Sequence, residues 1–210
     1  MKNTRLLLAA LLFLAIRTFS FSQSFEKGTS IVSLSTSLGV YNDKLTTHIS
    51  PTSSSTGKTI SGIYTFSYEY GLTNWLGAGI QVQYDKYIDS SGQKQTVYNV
   101  NVPLFINAHF VKSKHVDLSA GIGFAYSYFR INSNDVNATS LSGSGTLFDI
   151  HVIPRFYLGN HIGIFVPLSY GFLNYPNLDL TSSQSGSSHT NWADFHLNGM
   201  NIGIGLSVRF

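Results

Sequence analysis

From Met200 the chain alternates strictly. Met200, Ile202, Ile204, Leu206, Val208 and Phe210 take one face, and Asn201, Gly203, Gly205, Ser207 and Arg209 take the other. Period two marks a strand with two unlike faces. Seven earlier segments obey the same rule. In the first, Val32, Leu34, Thr36, Leu38 and Val40 oppose Ser33, Ser35, Ser37 and Gly39. In the fourth and longest, Tyr98, Val100, Val102, Leu104, Ile106, Ala108 and Phe110 oppose Asn99, Asn101, Pro103, Phe105, Asn107 and His109. The others open at Tyr64, Leu76, Val116, Phe148 and Ile162. Little 3.6-residue periodicity is present, so the pattern predicts an all-β chain of eight strands.

The connections carry a second rhythm. Asn42 to Thr59, Asp85 to Thr96, Arg130 to Gly145 and Leu173 to Asp194 are long and rich in Ser, Thr, Asn and Gly. Gly71 to Trp75, Val111 to His115 and Gly159 to His161 are short. Long and short alternate, which predicts an up-and-down antiparallel meander with every long loop at one end. The short turns and both termini fall at the other end. Eight such strands close into a barrel, which removes both sheet edges.

Which face is outside follows from size. A barrel of eight strands has a narrow interior. The polar face is mostly small (Gly, Ser, Asn, Thr), whereas the apolar face is large and would overfill the lumen. Aromatics also gather near the strand ends. Tyr70, Trp75, Phe110 and Phe210 stand at the short-turn end, and Tyr41, Tyr84, Tyr98, Tyr128 and Phe172 at the long-loop end. Two such groups predict interfacial girdles. Segments of about ten residues suit a tilted crossing. The expectation is a transmembrane barrel that touches lipid on its apolar face.

Composition agrees. Charged residues make up 11% of the chain, against roughly 25% in soluble domains. Cysteine is absent, which excludes disulfides and thiolate metal sites. At the N-terminus Lys2 and Arg5 precede an apolar run from Leu6 to Ile16, with small residues at Ser20 and Ser22. The run is too short to span a bilayer and predicts a cleaved export signal over residues 1–22, followed by one barrel domain over 25–210. Lys2, Arg5 and Arg17 account for the whole net charge of +3, leaving ten basic against ten acidic residues. The chain therefore carries no basic signature for nucleic acid.

Candidate chemistry is sparse. Of seven histidines, His48 and His189 fall in long loops and His115 and His161 in short turns. Asp149 and His151 share one strand face, but a structural metal site needs about four ligands, so no metal or other cofactor is expected. "GSGTL" at Gly143 to Leu147 lacks the strand–turn–helix setting of a phosphate cradle. No Gly-x-Ser-x-Gly nucleophile motif occurs, and an enzyme is not expected. The inward ionisable residues Glu69, His109, Asp117, Arg155 and Arg209 all lie near the short-turn ends of their strands. Glu69 on the second strand and Arg155 on the sixth face each other in a ring of eight. Pairing of Glu69 with Arg155 or Arg209 would plug the lumen. The long loops are the place for a ligand, since binding residues concentrate on loops of rigid scaffolds. The last of them holds Tyr175, Trp192 and Phe195.

The chain resembles the small eight-stranded outer-membrane β-barrels of Gram-negative bacteria, the OmpA/OmpX type, from about Phe25 to Phe210. The most specific piece is the terminal "GLSVRF". In that family a Gly, an apolar residue and a final aromatic are read by the barrel-assembly machinery. Gly205, Val208 and Phe210 match these positions, whereas Ile204 departs from the polar residue usual before the Gly. The resemblance implies a monomer in the outer-membrane lipid, with its long loops outside the cell and available to an extracellular ligand. Three roles are open: a structural or surface-interaction protein, a narrow porin-like pore or carrier for small or apolar solutes, and, less favoured, a lipid-modifying enzyme.

Overall fold

The computed structural model describes residues 24–48, 51–88, 95–133, 139–182 and 192–210. The expected export signal, His189 and the tips of the long connections lie outside these. The strands are β1 (Ser30–Thr47), β2 (Ser53–Gly71), β3 (Leu76–Ile88), β4 (Gln95–Lys112), β5 (Val116–Ser133), β6 (Thr139–Leu158), β7 (Ile162–Phe165), β8 (Leu168–Ser182) and β9 (Trp192–Arg209). All pairings are antiparallel, and β1 pairs with β9 from Ile31↔Arg209 to Thr47↔Ala193, so the sheet closes. Both β7 and β8 pair with β6 on one side and β9 on the other. They occupy one place in the ring, which makes nine segments into eight walls.

The division between β7 and β8 has a local cause. Proline has no N–H to give a ladder. Pro167 sits at the break, and the Val166 N–H donates to the carbonyl of another proline, Pro154, at 3.1 Å. One donor is thus missing from this wall, at Pro167, and one from β6 beside it, at Pro154. The Gly203 N–H still reaches the Pro167 carbonyl at 3.0 Å, so the ring stays tied to β9.

The strands are longer than the period-two segments predicted. β1 has 18 residues and β6 has 20. At about 3.3 Å per residue, 18 residues run roughly 60 Å, or about 40 Å along the normal at a tilt of about 45°, against a hydrocarbon core of about 30 Å. Much of what reads as long loop is therefore strand that overshoots the apolar band. On β1 the outward residues pass from Leu38 and Val40 to Asn42 and Lys44, while the inward ones pass from Ser35 and Gly39 to Tyr41 and Leu45. The polarity inverts: apolar outside and polar inside below, polar outside and apolar inside above. Each half buries whichever face its surroundings reject.

This corrects the placement of Tyr41. Its odd number puts it on the inward face of β1, where it is 1% exposed and packs with Tyr87, Phe129, Tyr175, Leu178 and Leu197 in the upper core. It is no part of an outer girdle. Tyr70, Trp75, Tyr84, Phe110, Tyr128, Phe172 and Phe210 are exposed on the outer surface, and Tyr98 lies beside Tyr84 with ring centroids 5.8 Å apart.

Candidate functional site

Four of the five expected lumen charges meet. Arg155 crosses the barrel from β6, donating Nη2 to Glu69 Oε2 of β2 at 2.9 Å and Nη1 to Asp117 Oδ2 of β5 at 3.0 Å. His109 of β4 bridges the same two acids, Nε2 to Glu69 Oε1 at 2.9 Å and Nδ1 to Asp117 Oδ1 at 2.8 Å. With both carboxylates ionised, both contacts form when both ring nitrogens donate, as an imidazolium does. Two positive groups then balance two carboxylates. All four residues are buried, and Asn107 and Ser119 complete the layer through Asn107 Nδ2 to Glu69 at 2.9 Å and Arg155 Nη1 to Ser119 at 3.1 Å. Strands from opposite walls are pinned together without an uncompensated charge, which would be costly at this depth.

Arg209 does not join them. Its Nε and Nη2 donate to the Asn160 carbonyl and its Nη1 to the Ser24 carbonyl, with the guanidinium 4.1 Å from the Tyr157 ring centre. It stands too near the rim, where the turn and the N-terminal segment offer carbonyls closer than the carboxylates of the cluster.

That N-terminal segment is the part of the site the alternation does not reveal. Ser24 and Phe25 precede β1 and fold back into the short-turn mouth. Phe25 is fully buried and stacks on His109, ring centroids 3.5 Å apart and planes 8° from parallel. Gly77 makes the room, since a Cβ there would lie 3.1 Å from the Phe25 ring and 2.5 Å from Glu69 Oε1. Ser24 Oγ donates to the Val116 carbonyl at 3.3 Å, and the Gly28 N–H to the Gly71 carbonyl at 2.9 Å. An apolar ring thus covers the charge layer from the mouth. An aromatic between the expected export signal and the first alternating segment is the trace of this in the sequence.

Above the charge layer the polar lining continues. His151 bridges Asp149 at 2.6 Å and Asn107 at 2.6 Å. Among the described residues no group of three potential ligands could hold a metal ion. A cavity of about 80 Å³ remains here, bounded by Ser33, Gln81, Asn107, Asp149, His151 and Pro167 among others. That is room for several waters, at roughly 10–15 Å³ each on this measure. Next comes buried Asp85, which accepts from Gln83 at 2.8 Å and Asn101 at 3.2 Å. Tyr175 then takes Asn99 at 2.8 Å and Ser127 at 2.6 Å and begins the aromatic upper core. Tyr175 and Phe195, expected in a loop, belong to this core, with ring centroids 6.3 Å apart. Trp192 stands at the rim with His48 stacked on it at 3.5 Å, and His48 reaches Asp194 at 3.1 Å. The Asn177 N–H, and after it the His48 ring, hold the Asp194 carboxyl below the usual carboxylate range.

Of the terminal residues, Phe210 is 71% exposed, and its backbone exchanges bonds with Ser30 at 2.9 and 3.1 Å, tying the last residue to the first strand. Gly205 has a packing reason of its own: a Cβ there would lie 2.5 Å from the Phe165 ring. Val208 pairs with Val32 of β1 and Ile162 of β7.

A closed sheet with an outward apolar band and a filled polar lumen defines a transmembrane β-barrel. A family model described as the outer membrane protein beta-barrel domain matches residues 6–210, and the chain belongs to that family. It is a membrane protein of the bacterial outer membrane, in contact with the lipid bilayer. Solved structures of similar fold include the outer membrane protein OprG of Pseudomonas aeruginosa, at 11% identity and TM-score 0.58 over 90% of this chain and 99% of that one. AlkL, determined in DMPC lipid bilayers, matches at 15% identity and TM-score 0.56 over 91% and 94%. Neisserial surface protein A matches at 10% identity and TM-score 0.51 over 88% and 100%. No curated protein matches the chain.

Proposed function

We propose that this is a closed barrel with a structural and surface-interaction role, meeting its extracellular ligand at the rim of the long hairpins. The double closure of the lumen carries this reading. Phe25 and the Glu69–His109–Asp117–Arg155 layer fill the short-turn end, and Tyr41, Tyr87, Phe129 and Tyr175 fill the other. Strands that overshoot the apolar band hold the rim rigidly above the lipid. In the same reading residues 1–22 are a cleaved export signal, the barrel domain over 25–210 is a monomer, and Gly205, Val208 and Phe210 are read by the assembly machinery. The role is non-enzymatic in this reading: His109 and His151 are held inside the barrel, both ring nitrogens of each on side chains of the lumen, away from the rim where the ligand is met.

Whole cells carrying the protein test this. Replacing the four hairpin tips by short Gly-Ser turns, with the strands kept, should abolish adhesion of the cells to host-matrix or cell surfaces while membrane yield stays constant. Unchanged adhesion would remove the surface role. The second reading, a narrow pore or carrier for small or apolar solutes, draws on the cavity beside the wall break at Pro167. It requires solute uptake that disappears when the cavity is filled, for example by Ser35→Phe.

A further inference from the structure

The outer surface where polarity inverts carries an arrangement that neither closure nor rim accounts for. Three adjacent strands present residues in register. The last apolar row is Ile60, Val40 and Met200, all exposed. The next row is Lys58, Asn42 and Asn198, and the one after it Thr56, Lys44 and His196. Rows on one face of a strand are about 7 Å apart. The lysines therefore begin one row beyond the apolar band, at the height of lipid headgroups. They stand on a diagonal of neighbouring strands, where residues are about 7–8 Å apart, and His196 is directly opposite Lys44. The rows border a shallow hollow of about 570 Å³, lined also by Asp43 and Gly57 between them, within the about 300–1,000 Å³ usual for small-ligand clefts.

Charge sharpens the point. Among the described residues neither Lys44 nor Lys58 forms an ion pair. No carboxylate shares their face in these rows. Asp43 lies on the opposite face, over Gly57, whose added Cβ would meet its Oδ2 at 3.0 Å. Asp194, one row further out, has Oδ1 bonded to the Asn177 N–H and Oδ2 to His48. Two like charges side by side on a sheet repel each other. An anion between them removes the repulsion, and Thr56 and the second amide hydrogen of Asn42, whose Nδ2 also donates to Asn198 at 3.4 Å, supply further donors beside it.

We infer that Lys44, Lys58 and His196, with Asn42 and Thr56, form a docking site for the phosphate of a lipid headgroup in the leaflet at the long-hairpin end. The acyl chains lie along Val40, Ile60 and Met200 below. Phosphate suits the site because several acceptor oxygens can take charge-assisted bonds from separate ammonium groups at once.

The test uses the full barrel in nanodiscs of zwitterionic lipid doped with phosphatidic acid, with native mass spectrometry counting retained lipid. The protein should retain phosphatidic acid in preference to a fatty acid added at equal total charge, and inorganic phosphate should not displace it. Lys44→Gln with Lys58→Gln should lower retention roughly tenfold or more, since charge-assisted bonds are the strong ones, and Lys58→Gln alone by less. Lys112→Gln with Lys114→Gln, at the opposite end, should leave it unchanged. Exposed lysines can be changed without unfolding the barrel, which unaltered SDS mobility before boiling verifies. Equal retention by wild type and the Lys44/Lys58 variant overturns the site. Equal retention of the fatty acid overturns the phosphate, and displacement by inorganic phosphate overturns the lipid.

Discussion

Glu69 shows what a single side chain does in this lumen. It accepts from Arg155, His109 and Asn107 and is buried. Glu69→Ala leaves Arg155 and the imidazolium sharing Asp117 alone. Removing one partner of a buried pair costs about 3–5 kcal/mol, and urea denaturation should read a loss of that size. Adding Arg155→Met to Glu69→Gln should restore part of it, because a lone buried charge is worse than an apolar replacement. Phe25→Ala acts differently. Truncating a buried phenylalanine costs about 3–5 kcal/mol, and the low end, about 3 kcal/mol, is expected because the terminal segment can swing away instead of leaving a void. Deuterium uptake at the amides around His109 should rise in that variant. A protected mouth in Phe25→Ala would show that the ring is not what keeps the layer dry. Of these residues, Glu69, His109, Asp117 and Arg155 were legible as inward, ionisable and near one end. Phe25 was not, because it belongs to no alternating segment. Arg209 was misplaced because alternation gives the face of a residue but not its height against the rim.

At the scale of the strand, alternation was enough to find each wall but not to end it. Period two persists above the membrane with its sense reversed, so on β1 the change from Val40 to Asn42 reads as a strand giving way to a loop. The same reversal explains Tyr41, which has the size of a girdle residue and the parity of a lumen residue. The broken seventh wall was hidden by alternation that runs through Val166 and Pro167, although proline's missing donor forecasts an interruption. The last strand carries a prediction of its own. Phe210→Ser removes an exposed ring but little packing, and keeps the two backbone bonds to Ser30. Assembly in cells should therefore fall far more than refolding of purified protein into detergent, read as folded yield in each case. Equal losses would assign Phe210 to packing rather than to the assembly machinery. Gly205→Ala should impair both, because the Phe165 ring fills the space its Cβ would need.

At the scale of the molecule, closure of β1 on β9 leaves no backbone edge open to lipid. Two cores of opposite sense then share one barrel: hydrogen-bonded charge inside the membrane-spanning half and aromatic packing inside the projecting half. The unheated protein should run apart from the boiled form in SDS, since its pairing is entirely internal. Closure of the lumen is the central claim, and planar-bilayer recording tests it most directly. The wild-type barrel should insert without conductance steps above baseline, while Glu69→Ala combined with Phe25→Ala should produce brief openings. Sustained steps in the wild type would contradict the closed barrel and return the chain to the class of pores.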